Sequence, residues 1–151
     1  MKPRLDVTKY LNSGLLRAMF TLSSEVEARL EKPLFELVKI RASQINGCAY
    51  CIDMHTKDAR LAGETEQRIY ALNAWRETPF FSEAERAALA LTEALCRLPD
   101  QADPVPDAIW DAVAEHFDEP QLGALVLDIA TTNLWNRLNI ATRQMVGEQS
   151  W

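Results

Sequence analysis

Ser82-Glu83-Ala84-Glu85-Arg86-Ala87-Ala88-Leu89-Ala90-Leu91-Thr92-Glu93-Ala94-Leu95-Cys96-Arg97-Leu98 is the stretch from which the fold class follows. Ala84, Ala87, Ala88, Leu91, Ala94, Leu95 and Leu98 recur at steps of three and four, which on a helix makes one apolar stripe. The stretch opens on Ser82-Glu83-Ala84-Glu85, a capping box whose hydroxyl and carboxylate satisfy free N–H groups of a first turn. The same spacing extends outward. Leu11, Leu15, Met19 and Leu22 form one run upstream, followed by Leu30, Leu34, Leu37, Val38 and Ile45. Downstream, Ile109, Val113 and Phe117 predict a short helix. Leu122, Leu125, Val126, Ile129, Leu134, Leu138 and Ala141 predict a long last one.

Alternating β-branched runs are missing, so no strand is expected. Gly63 suits the end of one helix and Thr65 the cap of the next. Pro79 precedes the Ser82 start, and Pro99, Pro104 and Pro106 mark a loop. Pro120 falls in the first turn of the last helix, where a missing N–H costs little. There is no tandem repeat and no low-complexity linker. The expectation is an all-α chain, one helical-bundle domain over residues 1–151.

With 151 residues, 48% of them apolar, a core can form without disulfide staples. The net charge of −6 and the lack of a basic patch argue against a nucleic-acid partner. No apolar run is long enough to cross a bilayer, so no membrane partner is expected. No segment resembles a signal peptide, which points to the cytoplasm, where thiols stay reduced and a disulfide tends to be catalytic or regulatory. Three cysteines, an odd number, do not make a structural framework.

The chemistry concentrates in Ser43-Gln44-Ile45-Asn46-Gly47-Cys48-Ala49-Tyr50-Cys51-Ile52-Asp53-Met54-His55. Asn46-Gly47 breaks the preceding helix, and Asn46 or Gly47 is expected to cap a new one. Cys48 and Cys51 then fall in or near its first turn, with His55 four residues beyond Cys51 on the same face. A helix N-terminus favours a thiolate, and the thiolate is the nucleophile. A neighbouring His can accept the thiol proton. The three-residue spacing lets the sulfurs reach bonding distance, so a sulfenic acid on one can be resolved by the other.

Structural zinc competes for a Cys-x-x-Cys, but beyond His55 a fourth ligand would have to be Glu36, His116 or Cys96. A thioredoxin-like site needs flanking strands. Covalent haem attachment needs His where Ile52 stands. The expectation is therefore cysteine chemistry with no cofactor and no metal.

Glu36-x11-Cys48-x2-Cys51-x3-His55 resembles the signature of the alkylhydroperoxidase D-like family, part of the carboxymuconolactone decarboxylase superfamily. The likeness runs from about Leu34 to Leu95 and has an echo in Asn133-Leu134-Trp135-Asn136-Arg137-Leu138. The resemblance implies an all-helical fold and homo-oligomers, trimers or hexamers. It implies a thiol-dependent peroxidase of antioxidant type acting on hydroperoxides. Cys51 would be the peroxidatic thiol, Cys48 the resolving one, and His55 with Glu36 a proton relay. An external dithiol, such as a lipoyl group on a carrier protein, would reduce the resulting disulfide. Tyr50 departs from the family peroxidases, which carry His directly before the second cysteine. A phenol, with a reference pKa of about 10, is a poor base near neutral pH.

Two other functions stay open. A carboxymuconolactone decarboxylase-like lyase needs acid–base groups but no dithiol. A redox sensor or metal-binding module needs no turnover. Among the remaining residues, His116 and Cys96 read as structural. Ala59 and Ala62 allow close helix packing, and Trp75, Phe80 and Phe81 fill a core or a subunit contact. Trp135 and Arg137 border either the site or an interface.

Overall fold

Proline, glycine and short polar side chains set the helix ends of this chain, and the computed structural model, which describes residues 2–10 and 13–147, contains only helices among them. They are α1 (Val7–Tyr10), α2 (Ser13–Glu27), α3 (Lys32–Asn46), α4 (Ala49–Leu61), α5 (Glu66–Ala71), α6 (Glu83–Cys96), α7 (Asp107–Ala114) and α8 (Glu119–Thr142). Short 3-10 turns follow α5 and α6. The expected caps are in place. Thr65 accepts from the Arg68 N–H, Ser82 and Glu85 close a capping box, and Pro120 sits in the first turn of α8. Asp118 and Gln121 make a second capping box at the start of α8. Gly63 follows α4 with φ 94°, a left-handed conformation that glycine adopts without a Cβ clash.

α3 is the central helix and packs against α4, α6 and α8. Every residue from Phe35 to Ile40 is buried. Leu37 and Ile40 join Ala59, Leu72, Trp75 and Leu89 on one side. Val38 joins Ala88, Leu91, Val113, Leu125 and Ile129 on the other. The third side is polar: Glu36, Lys39 and Ser43 follow one another at i, i+3 and i+7. Burying such groups is unfavourable unless each finds a partner, so this side of α3 must meet polar groups on its neighbours.

Three apolar runs face differently from the sequence expectation. On α2, Leu15 and Leu22 are exposed, whereas Val26 is buried and Leu16 and Met19 are half-buried. Leu11 lies outside the described residues. α2 packs chiefly on α8, so a single line of its side chains is covered. On α6, Leu98 leaves the stripe because Arg97, at φ −121° and ψ 33°, ends the helix before it. On α8, Leu122, Leu125 and Ile129 are buried as expected, but Leu134 is exposed. There the covered side belongs to Asp128, Thr131, Thr132, Asn133, Asn136 and Asn139. Trp75 and Phe81 fill the core, with Phe80 packed against it. Among the described residues no helix is long and apolar enough to cross a membrane.

Glu93 ties α6 to the rest of the bundle. It accepts from the Trp75 indole at 2.9 Å and from Arg41 at 2.7 Å, and it pairs with Arg76. Burial alone would raise its carboxyl pKa, but the bonds from Trp75, Arg76 and Arg41 more than offset that and hold it low.

α3 ends at Gly47, which has φ 73° and open space where a Cβ would go. Gly47→Ala therefore meets no neighbour and carries only the backbone cost, about 1–2 kcal/mol. A denaturant titration should show the midpoint falling accordingly. An unchanged midpoint would contradict the left-handed assignment.

Candidate functional site

Asn46 is the last residue of α3, and Gly47, in the left-handed conformation, closes it with its N–H on the Ser43 carbonyl. Cys48 is extended and is itself the N-cap of α4, correcting the expectation of Asn46 or Gly47. The Cys51 N–H points at the Cys48 sulfur at 3.3 Å. Asn46 instead reaches α8, where its amide donates to Asn133 Oδ1 at 3.0 Å and Asn136 Oδ1 at 2.8 Å. The Asn136 amide in turn donates to the Ser43 hydroxyl at 3.1 Å. These bonds lock the α3–α4 connection onto the last helix.

Cys48 and Cys51 are joined as a disulfide, with Cα atoms 5.3 Å apart, and each is 1% exposed. Their environments differ. The Cys48 sulfur receives the helix-terminal N–H, so the partial positive charge of the α4 terminus acts on Cys48. The Cys51 sulfur accepts from the Asn139 amide of α8 at 3.4 Å and faces a cavity of about 240 Å³. Cys48 does not line that cavity.

His55 lies one turn after Cys51 on α4 and lines the same cavity. Its Nδ1 is 3.0 Å from Glu36 Oε2. The sequence alone did not bring Glu36 to His55, since the two are 19 residues apart on different helices. Glu36 is nearly fully buried, and its carboxylate fixes the imidazole so that Nε2 is the free nitrogen. Asp58, one turn after His55, completes a group of three in which potential metal-ligand atoms lie within 4.8 Å of one another. Burial, and next the Glu36 carboxylate, push the Asp58 carboxyl up, while His55 and two lysines pull it down. The cysteines are spent on each other, and the other candidate ligands are elsewhere. Cys96 sits on α6 with its sulfur 3.4 Å from the Asn133 amide, and burial raises its thiol pKa. His116 is exposed beyond the end of α7.

The cavity has an apolar wall of Val7, Leu16, Phe20, Tyr50, Met54 and Trp135. Trp135 thus borders the site; its ring centroid is 5.2 Å from that of Phe20, and its indole donates to Ser23 at 3.1 Å. Arg137 does not line the cavity and bonds back to Asn133. Lys39 and Glu27 also line the cavity and belong to a charged cluster that sequence reasoning missed. Lys39 pairs with Glu27, lies 3.7 Å from Asp128 and sits 4.4 Å over the Phe35 ring. Asp128 Oδ2 has no hydrogen-bond partner. Burial pushes the Asp128 carboxyl up to about 7, against the pull of Lys39. The missed signal was spacing. Glu36, Lys39 and Ser43 share one helical face, as do Asn133, Asn136 and the adjoining Asn139.

The sequence profile of the carboxymuconolactone decarboxylase family matches residues 13–94. YdfG of Bacillus subtilis, itself uncharacterized, is 52% identical over 141 residues, covering 93% of this chain and 85% of YdfG. Among solved structures, ATU0492 of Agrobacterium tumefaciens superposes with a TM-score of 0.91 at 32% identity, covering 98% of this chain and all of ATU0492. ATU0492 is a protein of unknown function suggested to be an antioxidant defence protein of the AhpD type. The debrominase Bmp8 superposes with a TM-score of 0.81 at 24% identity, covering 91% of this chain and 73% of Bmp8. That likeness shows a shared fold.

Asp128 makes stability pH-dependent. Its carboxyl is raised from 3.8 to about 7 in the folded chain, so the folded state holds a proton that the unfolded state releases. The resulting stability is full below pH 3.8 and is lost as pH rises towards 7. Asp128→Asn should flatten this part of the profile, removing a loss on the order of a few kcal/mol. Thermal melts of both proteins at pH 4 through 8 test it; parallel profiles would contradict it.

Proposed function

The chain belongs to the carboxymuconolactone decarboxylase family, and from that premise we propose that it is a thiol-dependent peroxidase cycling Cys48 and Cys51 between dithiol and disulfide. The observation that carries the reading is the pairing of these two sulfurs with Cys51 lining the cavity of about 240 Å³, one turn from the His55–Glu36 pair. The fold by itself does not choose the reaction, since it also carries a debrominase. A decarboxylase-like lyase would leave the paired sulfurs at the cavity without a role.

In the proposed cycle, His55 accepts the Cys51 proton while Glu36 steadies the imidazolium. The Cys51 thiolate attacks the terminal oxygen of a hydroperoxide. An S–O bond forms, the O–O bond breaks and an alcohol leaves. Cys48 then attacks the Cys51 sulfenic acid, releasing water and forming the disulfide. An external dithiol, with a lipoyl group on a carrier protein as the chemical type, returns two electrons and two protons. It enters through the cavity and attacks Cys51, so that Cys48 leaves as a thiolate facing the Cys51 N–H.

The same proposal includes a cytoplasmic, homo-oligomeric protein, a trimer or hexamer. A reducing compartment keeps the dithiol ready for oxidant. Leu15, Phe20 and Leu22 on α2, with Leu127, Leu134 and Ile140 on α8, are exposed apolar side chains of the kind a subunit contact covers. Phe20 also lines the cavity, so such a contact would border the site.

One equivalent of cumene hydroperoxide added to reduced protein should convert it to the disulfide form, with a mass loss of two hydrogens, and dihydrolipoamide should restore it. Cys51→Ser should be inert. Cys48→Ser should stop at a Cys51 sulfenic acid that a dimedone adduct reveals. Full turnover in Cys51→Ser would falsify the assignment. Glu36→Gln should lower the oxidation rate by about 100-fold and shift its pH profile, the scale of a lost acid–base partner. A rate and profile equal to wild type would remove Glu36 from the relay.

A further inference from the structure

We propose that Lys39 is the acid that protonates the leaving oxygen when the Cys51 thiolate cleaves a hydroperoxide. The inference rests on the peroxidase reading and assigns a residue to a step which that reading leaves without a proton donor.

The step has a definite demand. Breaking the O–O bond sends an electron pair to the inner oxygen, and an alkoxide is a far stronger base than the thiolate that expelled it. Inside a mostly apolar cavity such an anion is costly unless a proton or a cation meets it. In-line attack also places the leaving oxygen on the side of the peroxide away from the sulfur. His55 shares α4 with Cys51, and its role in the proposed cycle is to take the thiol proton. The donor is therefore sought on a different element.

Lys39 meets these conditions. It lines the same cavity as Cys51 but stands on α3, not α4. α3 and α4 form a hairpin across Gly47 and Cys48, with Glu36 against His55. One turn closer to the hairpin bend on each helix, Lys39 comes level with Cys51 and Ile52. Lys39 as a residue is 6% exposed, so a guest in the cavity meets its side chain away from bulk water. Its Nζ pairs with Glu27, lies 3.7 Å from Asp128 and sits over the face of Phe35. An ammonium has three N–H groups, and Glu27 with the more distant Asp128 engages at most two of them, so one can serve a guest.

The Cys51 sulfur forms a bond to the outer oxygen, which keeps its hydrogen and becomes the sulfenic acid. The O–O pair moves to the inner oxygen, which takes a proton from Lys39 Nζ and departs as the alcohol. The resulting neutral amine regains a proton from solvent on the side of Glu27, whose side chain is 40% exposed, and His55 gives the thiol proton back to solvent, so no net proton is gained or lost.

The test compares leaving groups. Single-turnover oxidation of pre-reduced protein is followed by stopped-flow Trp fluorescence with cumene hydroperoxide, which must release an alkoxide or alcohol, and with peracetic acid, which releases a weakly basic acetate. Lys39→Met should slow the first reaction by about 100-fold, the scale of a lost general acid, and the second by less than about threefold. Lys39→Arg, which keeps the charge but not a readily transferred proton, should leave most of the difference in place. Because Lys39→Met strands two carboxylates, Lys39→Met/Asp128→Asn is measured alongside, with circular dichroism confirming the fold, and should show the same selectivity. Equal losses with both oxidants, or no loss with cumene hydroperoxide, would overturn the role of Lys39 and leave the peroxidase reading standing. A wild-type protein that reacts with neither oxidant would overturn both.

Discussion

A two-residue reversal between α3 and α4 governs this molecule. Gly47, at φ 73°, ends one helix, and Cys48, extended, begins the next. No residue with a Cβ makes that turn without strain, and no longer linker would hold the helices in one register. That register sets Glu36 against His55 across 19 positions of sequence. It also makes a cysteine sulfur, rather than a hydroxyl or carboxylate, the acceptor for the Cys51 N–H in the first turn of α4. A slip of one residue on α4 would rotate Cys51 and His55 by about 100° away from the cavity and from Glu36. The local backbone and the site chemistry are thus one constraint.

The last helix supplies the wall against which that hairpin is held. Its first half buries Leu122, Leu125 and Ile129 in ordinary fashion. Its second half buries amides and hydroxyls, each of which must be satisfied. Thr131 and Thr142 bond carbonyls one turn back, while Asn133, Asn136 and Asn139 reach α6, α3 and α4. Apolar packing would tolerate sliding between helices; directional amide bonds do not. Asn139 at Cys51 and Asn46 at Asn133 and Asn136 therefore fix the position of the sulfur pair rather than merely filling space.

Local rules made much of the fold legible in the sequence. Ser82, Thr65, Gly63 and Pro120 act where short-range chemistry puts them, because caps and turns depend on a few adjacent residues. The union of Cys48, Cys51 and His55 on one helix is equally local. Orientation was harder. Leu15 and Leu22 repeat at helical spacing yet face outward, since periodicity reports an apolar face without saying whether this chain or another covers it. Glu36 reached the site through resemblance and not through spacing, because pairing between helices is a tertiary fact. Lys39 and Asp128 were passed over for a simpler reason. A lone Lys or Asp on a helix is usually a solvated charge, and only burial turns it into a partner.

The two sulfurs of the disulfide are chemically unequal, and that inequality gives exchange a direction. A helix terminus stabilises a thiolate through its free N–H groups, and here the N–H of Cys51 is aimed at Cys48. A better-stabilised thiolate is a better leaving group. The cavity, on the other hand, opens onto Cys51 and not onto Cys48. An incoming thiol thus reaches the sulfur whose displacement expels the stabilised partner, and geometry and electrostatics favour the same bond cleavage. In the oxidative direction the asymmetry is complementary. Cys51 lacks the helix-terminal N–H, and in the proposed cycle its proton goes to the imidazole one turn away, which the buried Glu36 holds in place. Separating the two tasks lets one sulfur be tuned as a leaving group without weakening the other as a nucleophile, because nucleophilicity falls as thiol pKa falls.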